Sequence, residues 1–382
     1  MTPEEELDWL ALRMTPGLGA RHLLRLLERF RTPKAILHAS PTELEGAGLA
    51  AGVARSVSSG CGYDDAAEQQ QLCRERGVTL IPVIDRRYPS LLGEIFDPPP
   101  MLFARGRLEL LQADAVAIVG TRRPTAYGTA VAERLAADLA NAGLAIVSGM
   151  ARGIDTAAHT GSLSSAGDTI AILGCGVDVV YPTENRKLAD QLATGGLLLS
   201  EFPMGTPGYP QNFPVRNRVI SGISQGVIVV EGAQYSGSAI TARLAMEQGR
   251  EVMAVPGNIT SKASWGPNLL IKQGARLVQD WNDVVSSLGT DLRQRLAERC
   301  RAKLARETQP DLFDSPATAE QDVNSLGRWV LDKLPFDQPR HLDELLETLD
   351  FASPSELVAT LFELEMMGLI RQLPGKNFVK VW

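Results

Sequence analysis

The feature that most constrains the fold is a series of short apolar segments between residues 115 and 280. They read AVAIVG, LAIVSG, TIAILG, GLLLSEF, GVIVVEG, EVMAVPG and ARLVQD. Each is apolar throughout instead of alternating apolar and polar residues, which is typical of strands that are covered on both faces. Amphipathic helical stretches such as TAVAERLAADLANAG and SGSAITARLAMEQG lie between them. This alternation predicts an α/β fold with a doubly wound, mostly parallel sheet, with MLFAR (101–105) before it as an edge strand.

The regions on either side of this alternation have other patterns. Residues 1–75 place apolar residues three and four apart around a Pro-Gly-Leu-Gly turn, which predicts a helical domain with a helix beginning near Ala20. Residues 289–322 are charged, then polar with prolines, and are predicted to be a partly helical, partly flexible linker. Residues 323–382 predict three helices and a hairpin, which is a winged-helix arrangement. The sheet domain is therefore expected to span residues 76–288.

Composition and charge limit the class of protein. A chain of 382 residues with 44% hydrophobic and 22% charged residues is typical of a globular protein with two or three domains. The chain lacks a run of about eighteen apolar residues, its N-terminus lacks the apolar core of a signal peptide, and its cysteines are scattered, so a cytoplasmic protein with reduced thiols is expected. The net charge of −7 argues against nucleic-acid binding over the whole surface but allows a local basic groove.

The carboxyl ends of the predicted strands carry glycines and arginines. In an open parallel sheet, ligands bind outside these ends. Here they read GTRR with Arg122, SGMARG with Arg152, then GCG, SEFP and EG. Glycines let a backbone approach a ligand closely, and helix N-termini at the same edge supply N–H donors for phosphate. These features predict a local positive pocket, although glycines that only mark tight turns and arginines that only face solvent would give the same pattern.

The stretch QNFPVRNRVISG (211–222) opens a predicted helix at that same edge of the sheet. Arg216 and Arg218 add positive charge to a helix N-terminus that is already positive, which costs stability unless an anion binds. Phe213 precedes Pro214, so it is expected to be extended and to project its ring. Arginines for phosphates and an aromatic face for a base are the features of a site for single-stranded nucleic acid.

Two interpretations of this stretch remain open from the sequence. Side chains two residues apart on a helix cannot both face one pocket, so Arg216 is expected to face DNA while Arg218 meets a structural acid or a dimer partner. The alternative is purely structural: Phe213 packs as a hydrophobic staple and Arg216 pairs with Glu201.

Signatures of cofactor binding and catalysis are weak. VGTRRPTAYG and LGCGVDVV lack the GxGxxG spacing and GxxxxGK[ST] does not occur, so NAD and ATP are not expected and no cofactor is predicted. His159 lies four residues after Asp155 on one helix face, and a capping or core-packing pair is favoured over a general base. Glu231 is the best candidate for an acid in the pocket. An alternative function is therefore a nucleotide or nucleoside-phosphate hydrolase on a Rossmann-like fold.

Several longer motifs follow one another in the sheet region. They are VGTRRPTAYG, SGMARGIDTAAH, GCGVDVVYPTEN, SEFP, NFPVRNRVISGIS, VVEGAQYSGSAITARLAMEQGREVMAVPG and GPNLLIKQGA. Together they resemble the DNA-processing protein A (DprA/Smf) family. The N-terminal helices resemble that family's SAM-like, helix-hairpin-helix-type domain, and the C-terminal segment is similar to the winged-helix domain of many members. The resemblance therefore implies an extended Rossmann-fold domain between two smaller domains.

This resemblance implies a bacterial, cytoplasmic protein that is not an enzyme. Family members bind single-stranded DNA on the Rossmann domain, form homodimers through it, and deliver the DNA to the RecA recombinase during natural transformation. The expected partners are thus single-stranded DNA, RecA and a second copy of the chain, with no membrane. By motif position, the resemblance assigns DNA contacts to Arg122, Arg123, Ser148, Gly149, Arg152, Gly153, Asn212, Phe213, Arg216, Asn217 and Arg218.

Two features of the chain bear on what the resemblance implies. Some members have a lysine three residues before the phenylalanine, where this chain has Pro210. Arg123 or Lys262 are candidates to replace the contact of that lysine. The would-be recognition helix of the C-terminal domain, residues 356–365, is acidic, which argues against a duplex-binding regulator and favours the docking of a partner.

Overall fold

A computed structural model of the chain forms two compact units, Met1–Thr308 and Gln309–Trp382. The structure describes residues 1–234, 236–307, 325–334, 340–347, 356–357, 360–361, 364, 370–373 and 377–380. Within these residues, no helix is both long enough and apolar enough to cross a membrane.

Helices and strands of the first unit are numbered in chain order. The helices are α1 (Pro3–Met14), α2 (Ala20–Phe30), α3 (Pro33–Leu37), α4 (Pro41–Glu45), α5 (Ala51–Ser58), α6 (Tyr63–Arg76), α7 (Ser90–Gly93), α8 (Ala126–Asn141), α9 (Ile154–Ser164), α10 (Arg186–Gly195), α11 (Asn212–Gly222), α12 (Gly237–Glu247), α13 (Trp265–Lys272), α14 (Trp281–Ser287) and α15 (Thr290–Glu307). The strands are β1 (Thr79–Pro82), β2 (Met101–Gly106), β3 (Ala115–Val119), β4 (Ala145–Ser148), β5 (Thr169–Leu173), β6 (Leu197–Ser200), β7 (Gly226–Val229), β8 (Glu251–Ala254) and β9 (Arg276–Leu277).

These strands form one sheet in the order β1-β2-β6-β5-β4-β3-β7-β8-β9. Strands β3 to β9 are mutually parallel. Strand β2 pairs antiparallel with β6, and β1 pairs antiparallel with β2. Each apolar segment that was predicted to be a strand forms one of β3 to β9, which confirms the doubly wound, mostly parallel sheet. In β3, Ala117 and Val119 pack in one apolar cluster while Val116 and Ile118 pack in another. Both faces of the sheet are therefore covered, which is why these strands are apolar throughout.

Strand β2 corrects one expectation. MLFAR was predicted to be an edge strand, but β2 lies between β1 and β6 and hydrogen-bonds to both. The short segment TLIP forms β1 and covers the outer side of β2, with Leu80 opposite Phe103. The prediction was wrong because the sequence could not show that so short a segment would add a further strand.

The N-terminal helices α1 to α6 pack directly on the sheet. Trp9 and Leu26 belong to the same apolar cluster as Phe103 of β2 and Leu198 of β6. Helix α2 begins at Ala20, as predicted. Because the helical region and the sheet share this core, the side chains at the start of α2 lie close to the sheet domain.

The predicted linker begins as a helix. Residues 290–307 form α15, whose Leu292 and Leu296 are buried in the same core as Val284. The remainder of the predicted linker, residues 308–322, lies outside the described residues.

The second unit has helices and a small antiparallel sheet. Its elements are α16 (Ser325–Lys333), β10 (Arg340–His341), α17 (Leu342–Glu347), β11 (Ile370–Leu373) and β12 (Asn377–Lys380). The described residues between 356 and 364 are also helical, and β12 lies between β10 and β11. Val330, Leu345, Leu357 and Phe378 are buried together. This arrangement confirms the predicted three helices and hairpin.

The order of the strands places a crevice at one point of the sheet. From β3 the chain adds β4, β5 and β6 on one side, and then β7, β8 and β9 on the other. The direction therefore reverses at β3, and the ligand site of such a sheet lies outside the carboxyl ends of the strands at this switch point. Helix α11, which connects β6 to β7, begins at that edge.

Candidate functional site

A cavity of about 500 Å³ opens at this switch point, and we call it the cleft. Its walls come from the end of β3, the turn after β4 and the first residues of α11 and α12. The N-cap of α11, Gln211, makes no side-chain hydrogen bond to the helix, so the first N–H groups of α11 have no side-chain cap. Helix N-termini that point at one cavity favour anions there. A cavity of this size is typical of a ligand site.

The ring of Phe213 is the aromatic centre of the cleft. It lies 5.2 Å from the ring of Tyr181, centroid to centroid, with 33° between the planes. The guanidinium of Arg122 lies 5.3 Å from the Phe213 centroid and that of Arg216 lies 5.8 Å from it. The ring packs over Gly174, where a Cβ atom would come within 2.8 Å of the ring edge. An aromatic face is thus fixed beside two positive charges.

The backbone at Phe213 corrects a second expectation. Phe213 is helical and not extended, since α11 begins at Asn212. Pro214 falls in the first turn, where an N–H group has no partner within the helix, so the helix tolerates it. The preference of a residue before proline for extended backbone was overridden by this helix start.

Arg216 lies at the floor of the cleft and is only 4% exposed. Its Nη1 donates to the carbonyl of Ile172 at 2.8 Å, and its guanidinium packs against Gly149, where any Cβ atom would overlap it. Burial lowers the pKa of Arg216, and the carboxylate of Asp155 acts in the opposite direction. Among the described residues, Nε of Arg216 has no hydrogen-bond partner. The floor of the cleft therefore carries a charge that the protein compensates only in part.

Asp155 holds the SGMARG turn beneath the cleft. Its Oδ2 accepts from the backbone N–H of Gly149 at 3.1 Å and of Ala151 at 3.3 Å. Burial raises the pKa of the Asp155 carboxyl, against the effect of Arg216. Met150, between the two donors, has a φ of 60°, which costs a non-glycine residue backbone strain. Its carbonyl accepts from Asn185 at 3.0 Å, so side chains on both sides fix the turn.

Two residues considered for catalysis are placed elsewhere. Nδ1 of His159 lies 2.7 Å from the hydroxyl of Thr169, not against Asp155, and the ring is buried. Burial, with the charge of Arg216, lowers the pKa of His159 to about 3. Glu231 is also buried: its carboxylate accepts from the N–H and the hydroxyl of Thr125. Glu231 thus supports the start of α8 and does not line the cleft, which removes the acid that the hydrolase interpretation needed.

Arg218 lies on the other side of α11. Its Nη2 donates to Glu201 at 2.6 Å and its Nε lies 3.3 Å from Asp97. The residue lines a separate cavity of about 270 Å³, together with Arg13 of α1. The alternative in which Arg216 pairs with Glu201 is therefore wrong, and Arg218 meets the structural acid, as expected.

Arg122, Gly149 and Arg152 share a small pocket that adjoins the cleft, with Tyr181 and Phe213 as its aromatic wall. Arg122 is exposed apart from its contact with the Phe213 ring. The guanidinium of Arg152 pairs with Glu184 at 2.6 Å.

The other predicted site residues lie at different depths. Ser148 and Asn212 are buried, and their side chains donate to the carbonyls of Ile118 and Gly174. Asn217 lines the cleft and donates to the carbonyl of Gly237 at 3.4 Å.

Two positions are set by the loops themselves. Gly153 has a φ of 81°, and a Cβ atom there would come within 2.7 Å of Pro124, so only glycine lets the GTRR loop pack against this turn. Arg123 and Lys262 are exposed outside the cleft, whereas Pro210 lines it.

Sequence reasoning missed Tyr181 and the role of Asp155. Tyr181 stands in the motif GCGVDVVYPTEN, where an aromatic residue before a proline after a strand end was the available signal. Asp155 was considered only as a partner of His159, because its backbone donors four and six residues earlier become its neighbours only when the turn folds back.

The fold and the cleft together define a class of protein: an extended Rossmann-type sheet with a positively charged, aromatic cleft at its switch point. Residues 79–289 match the family model of DNA recombination-mediator protein A, and residues 314–376 match that of the DprA winged helix domain. The first match covers more than half of the 382 residues. The chain belongs to the DNA recombination-mediator protein A family, also called DprA/Smf.

Similar proteins come from several bacteria. DNA processing protein DprA of Bacillus subtilis is 46% identical over 216 residues, which are 56% of this chain and 73% of that protein. Protein Smf of Escherichia coli is 39% identical over 305 residues, 78% of this chain and 76% of that protein.

Two solved structures are also similar. The X-ray structure of DprA from Streptococcus pneumoniae has a TM-score of 0.66 and 36% identity, and covers 74% of this chain and 98% of its own. DNA processing protein A from Helicobacter pylori, whose structure concerns the single-stranded DNA binding mode of that protein, has a TM-score of 0.50 and 31% identity, over 58% of this chain and 96% of its own.

Proposed function

We propose that this protein binds single-stranded DNA in the cleft and delivers it to the RecA recombinase during recombination and natural transformation. The observation that carries the binding proposal is the ring of Phe213, set between Tyr181 and the guanidinium groups of Arg122 and Arg216. A nucleobase stacks on the ring, and adjacent phosphates meet Arg122 and the N-termini of α11 and α12. The related protein of Helicobacter pylori, for which a single-stranded DNA binding mode is described, supports this proposal.

The geometry favours a single strand over a duplex. Each base of a duplex is already stacked above and below, and it cannot also lie on a half-buried ring without unstacking. Bases of a single strand stack on aromatic side chains whatever their identity, because every base has a π-face. Binding is therefore expected to tolerate many sequences and to weaken with salt, as phosphate contacts release counterions.

The proposed contacts divide into two groups. Arg122, Phe213, Arg216 and Asn217 line the cleft and touch DNA, with Arg152 and Gly149 along the adjoining pocket. Gly153, which packs against the GTRR loop, contacts DNA from the turn that follows them. Ser148, Asn212 and Arg218 act from within the fold, since their side chains bond to protein groups there. Arg123 contacts the DNA strand at the point where the DNA leaves the cleft.

Transfer of the strand to RecA and a homodimer formed through the sheet domain rest on membership of the family. We propose both for this chain, with the sheet domain at residues 76–288 between the helical domain at 1–75 and, after the linker at 289–322, the winged-helix domain at 323–382. A pull-down of RecA with and without single-stranded DNA, and a sedimentation measurement of the free protein, test these two parts separately.

The binding proposal is tested by fluorescence anisotropy of a labelled oligo-dT strand. The affinity should fall steeply as salt rises, and duplex DNA and a mononucleotide should compete poorly. Arg122→Ala should weaken binding more than tenfold. Arg134→Ala is a matched control, because it removes the same charge from an exposed position of α8 outside the cleft. Equal affinity of the Arg122 variant and this control would contradict the site.

A further inference from the structure

Helix α2 presents a row of positive charge outside the cleft. Arg21, Arg25 and Arg29 follow one another at four-residue spacing and are exposed. Residues four apart lie on one face of a helix, about 6 Å apart along its axis. The helix carries a single acid, Glu28, and among the described residues no ion pair joins these three arginines to a carboxylate. In a chain with a net charge of −7, this row is a local concentration of positive charge.

An exposed aromatic ring stands at the beginning of this row. Phe96 is 85% exposed, and the guanidinium of Arg21 lies 4.7 Å from its ring centroid. The pair repeats the chemistry of the cleft, where a guanidinium lies 5.3 Å from the Phe213 ring. A large apolar ring held in solvent beside a cation is what a base-stacking site requires before the strand arrives.

The acids close to Phe96 are already engaged. Asp97, the next residue, pairs with Arg218 at 3.3 Å. Glu94 lies 4.0 Å from Arg250. The acids on either side of the ring thus lie nearest to arginines of the sheet domain, and neither forms an ion pair with the row on α2.

Helix α11 lies between the cleft and the start of α2. A cavity of about 270 Å³ joins the start of α2, at Gly19 and Ala20, to Val215 on the outer side of α11. Val215 is exposed, and it lies two residues after Phe213 of the cleft. Asp97, the residue after Phe96, pairs with Arg218 of the same helix, and an α-helix with its side chains is about 10 Å across. To reach Phe96, a DNA strand bound at the Phe213 ring would have to cross α11, and the exposed side chain of Val215 lies on that outer side.

We propose that Phe96, Arg21 and Arg25 bind a second segment of the same single strand, beyond the nucleotides in the cleft; this inference rests on the proposed function. Phe96 stacks a base, while Arg21 and Arg25 meet the following phosphates. Arg29, which donates to the carbonyl of Gly46 at 2.8 Å, ends the row. The surface formed by Phe96, Arg21 and Arg25 is called the α2 surface below.

The proposal predicts an effect that depends on the length of the strand. A strand of about 6 nucleotides should fill the cleft only, and one of about 16 nucleotides should reach the α2 surface, since binding sites for single strands take about 4–16 nucleotides. Phe96→Ala and the double variant Arg21→Ala/Arg25→Ala should leave the affinity for the short oligo-dT unchanged. Both should weaken binding of the long one at least fivefold. The double variant should also reduce the slope of log K against log salt by about 1.4, because two phosphate contacts are lost.

Two control variants show whether a loss of binding comes from the lost ring or the lost charges at the α2 surface. Phe96→Tyr keeps an aromatic ring and should bind the long strand as the wild type does. Arg74→Ala/Arg76→Ala removes the same charge from exposed positions of α6 and should leave the salt slope unchanged. The substituted side chains of Phe96, Arg21 and Arg25 are exposed, so the variants are expected to fold, which circular dichroism confirms before binding is measured.

The outcomes distinguish this inference from the proposed function. If Arg122→Ala weakens both strands but the Phe96 and Arg21/Arg25 variants bind the long strand like the wild type, the α2 surface is not a DNA site and the cleft is. If the α2 variants weaken both strands equally, there is no second segment and the inference fails. If Arg122→Ala leaves both strands unaffected, the cleft assignment fails, whatever the α2 variants do.

Discussion

The two sides of α11 carry arginines two residues apart that have opposite surroundings. Arg218 has the carboxylates of Glu201 and Asp97 as partners on the side away from the cleft. Arg216, on the cleft side, has Asp155 near it, and that carboxylate is already bonded to two backbone N–H groups. Both arginines are buried, so exposure does not distinguish them. The difference lies in compensation: two carboxylates form ion pairs with Arg218, whereas Arg216 forms no ion pair among the described residues.

The Arg218 side also ties the N-terminal helices to α11. Arg13 of α1 donates to the carbonyl of Glu201 at 3.2 Å, and burial lowers the pKa of Arg13 against the effect of Glu201. Glu201 therefore lies between a cation of α1 and a cation of α11. This contact fixes α11 relative to both the sheet and the helical region, and with it the position of Phe213.

The largest effect is expected on the compensated side. Glu201→Gln would leave the buried guanidinium of Arg218 with only Asp97 as a paired carboxylate, and breaking a buried pair in this way costs about 3–5 kcal/mol. Urea unfolding followed by circular dichroism measures the loss. Glu247→Gln is the control, because it breaks an exposed pair with Arg243 on α12 and should change stability little. Similar urea midpoints for the two variants would show that Arg218 does not depend on Glu201.

A smaller effect, on binding alone, is expected on the cleft side. Phe213→Ala removes the stacking ring and should weaken single-stranded DNA binding by roughly 5- to 150-fold, the range for one stacked base. The slope of log K against log salt should stay as in the wild type, since no charge is lost, whereas Arg122→Ala should reduce it by about 0.7. Anisotropy at a series of salt concentrations measures both. A reduced slope for the Phe213 variant would contradict a pure stacking role.

The pH dependence of stability tests the effect of the buried Arg216 charge on the neighbouring His159. The pKa of His159 is lowered to about 3 by burial and by Arg216, so the folded protein keeps the ring neutral while the unfolded chain takes up a proton below its usual pKa near 6.5. The stability that the neutral ring contributes is fully present above pH 6.5 and is lost as the pH falls towards 3. Between pH 7 and 5 the loss is about 2 kcal/mol.

Replacement of this histidine by a residue that does not titrate isolates its contribution. From pH 7 to pH 5, the free energy of unfolding should fall by about 2 kcal/mol less in His159→Gln than in the wild type. Urea unfolding at each pH measures this difference. Parallel pH profiles of variant and wild type would mean that His159 has the same pKa in the folded protein as in the unfolded chain, which would contradict the lowered pKa.

The smallest effect is expected at the exposed pair of the adjoining pocket. Arg152→Ala breaks the bond to Glu184, but solvent screens both groups, so the urea midpoint should not move measurably. The same variant should weaken DNA binding less than Arg122→Ala, because the Glu184 carboxylate offsets the charge of Arg152. A loss of affinity as large as that of Arg122→Ala would place Arg152 in the cleft itself.

Much of the fold could be predicted because strands buried on both faces appear in the sequence as uninterrupted apolar segments. Segments such as AVAIVG and TIAILG must be apolar throughout to be covered on both sides, and they form β3 and β5. The place of β2 could not be predicted, because a four-residue partner at Thr79–Pro82 carries too little pattern. The predicted positive, aromatic character of the carboxyl edge also agrees with the composition of the cleft.

The sequence by itself determined the parallel sheet, the edge at which a ligand site lies and the residue types gathered there, because strand periodicity and strand ends are local properties of the chain. Only the tertiary structure decided which arginine of RNR meets an acid, since Glu201 and Asp97 reach Arg218 from separate segments. It also decided that Glu231 supports a helix start and that Tyr181 lies beside Phe213. These assignments depend on distances between residues far apart in sequence, which no local pattern encodes.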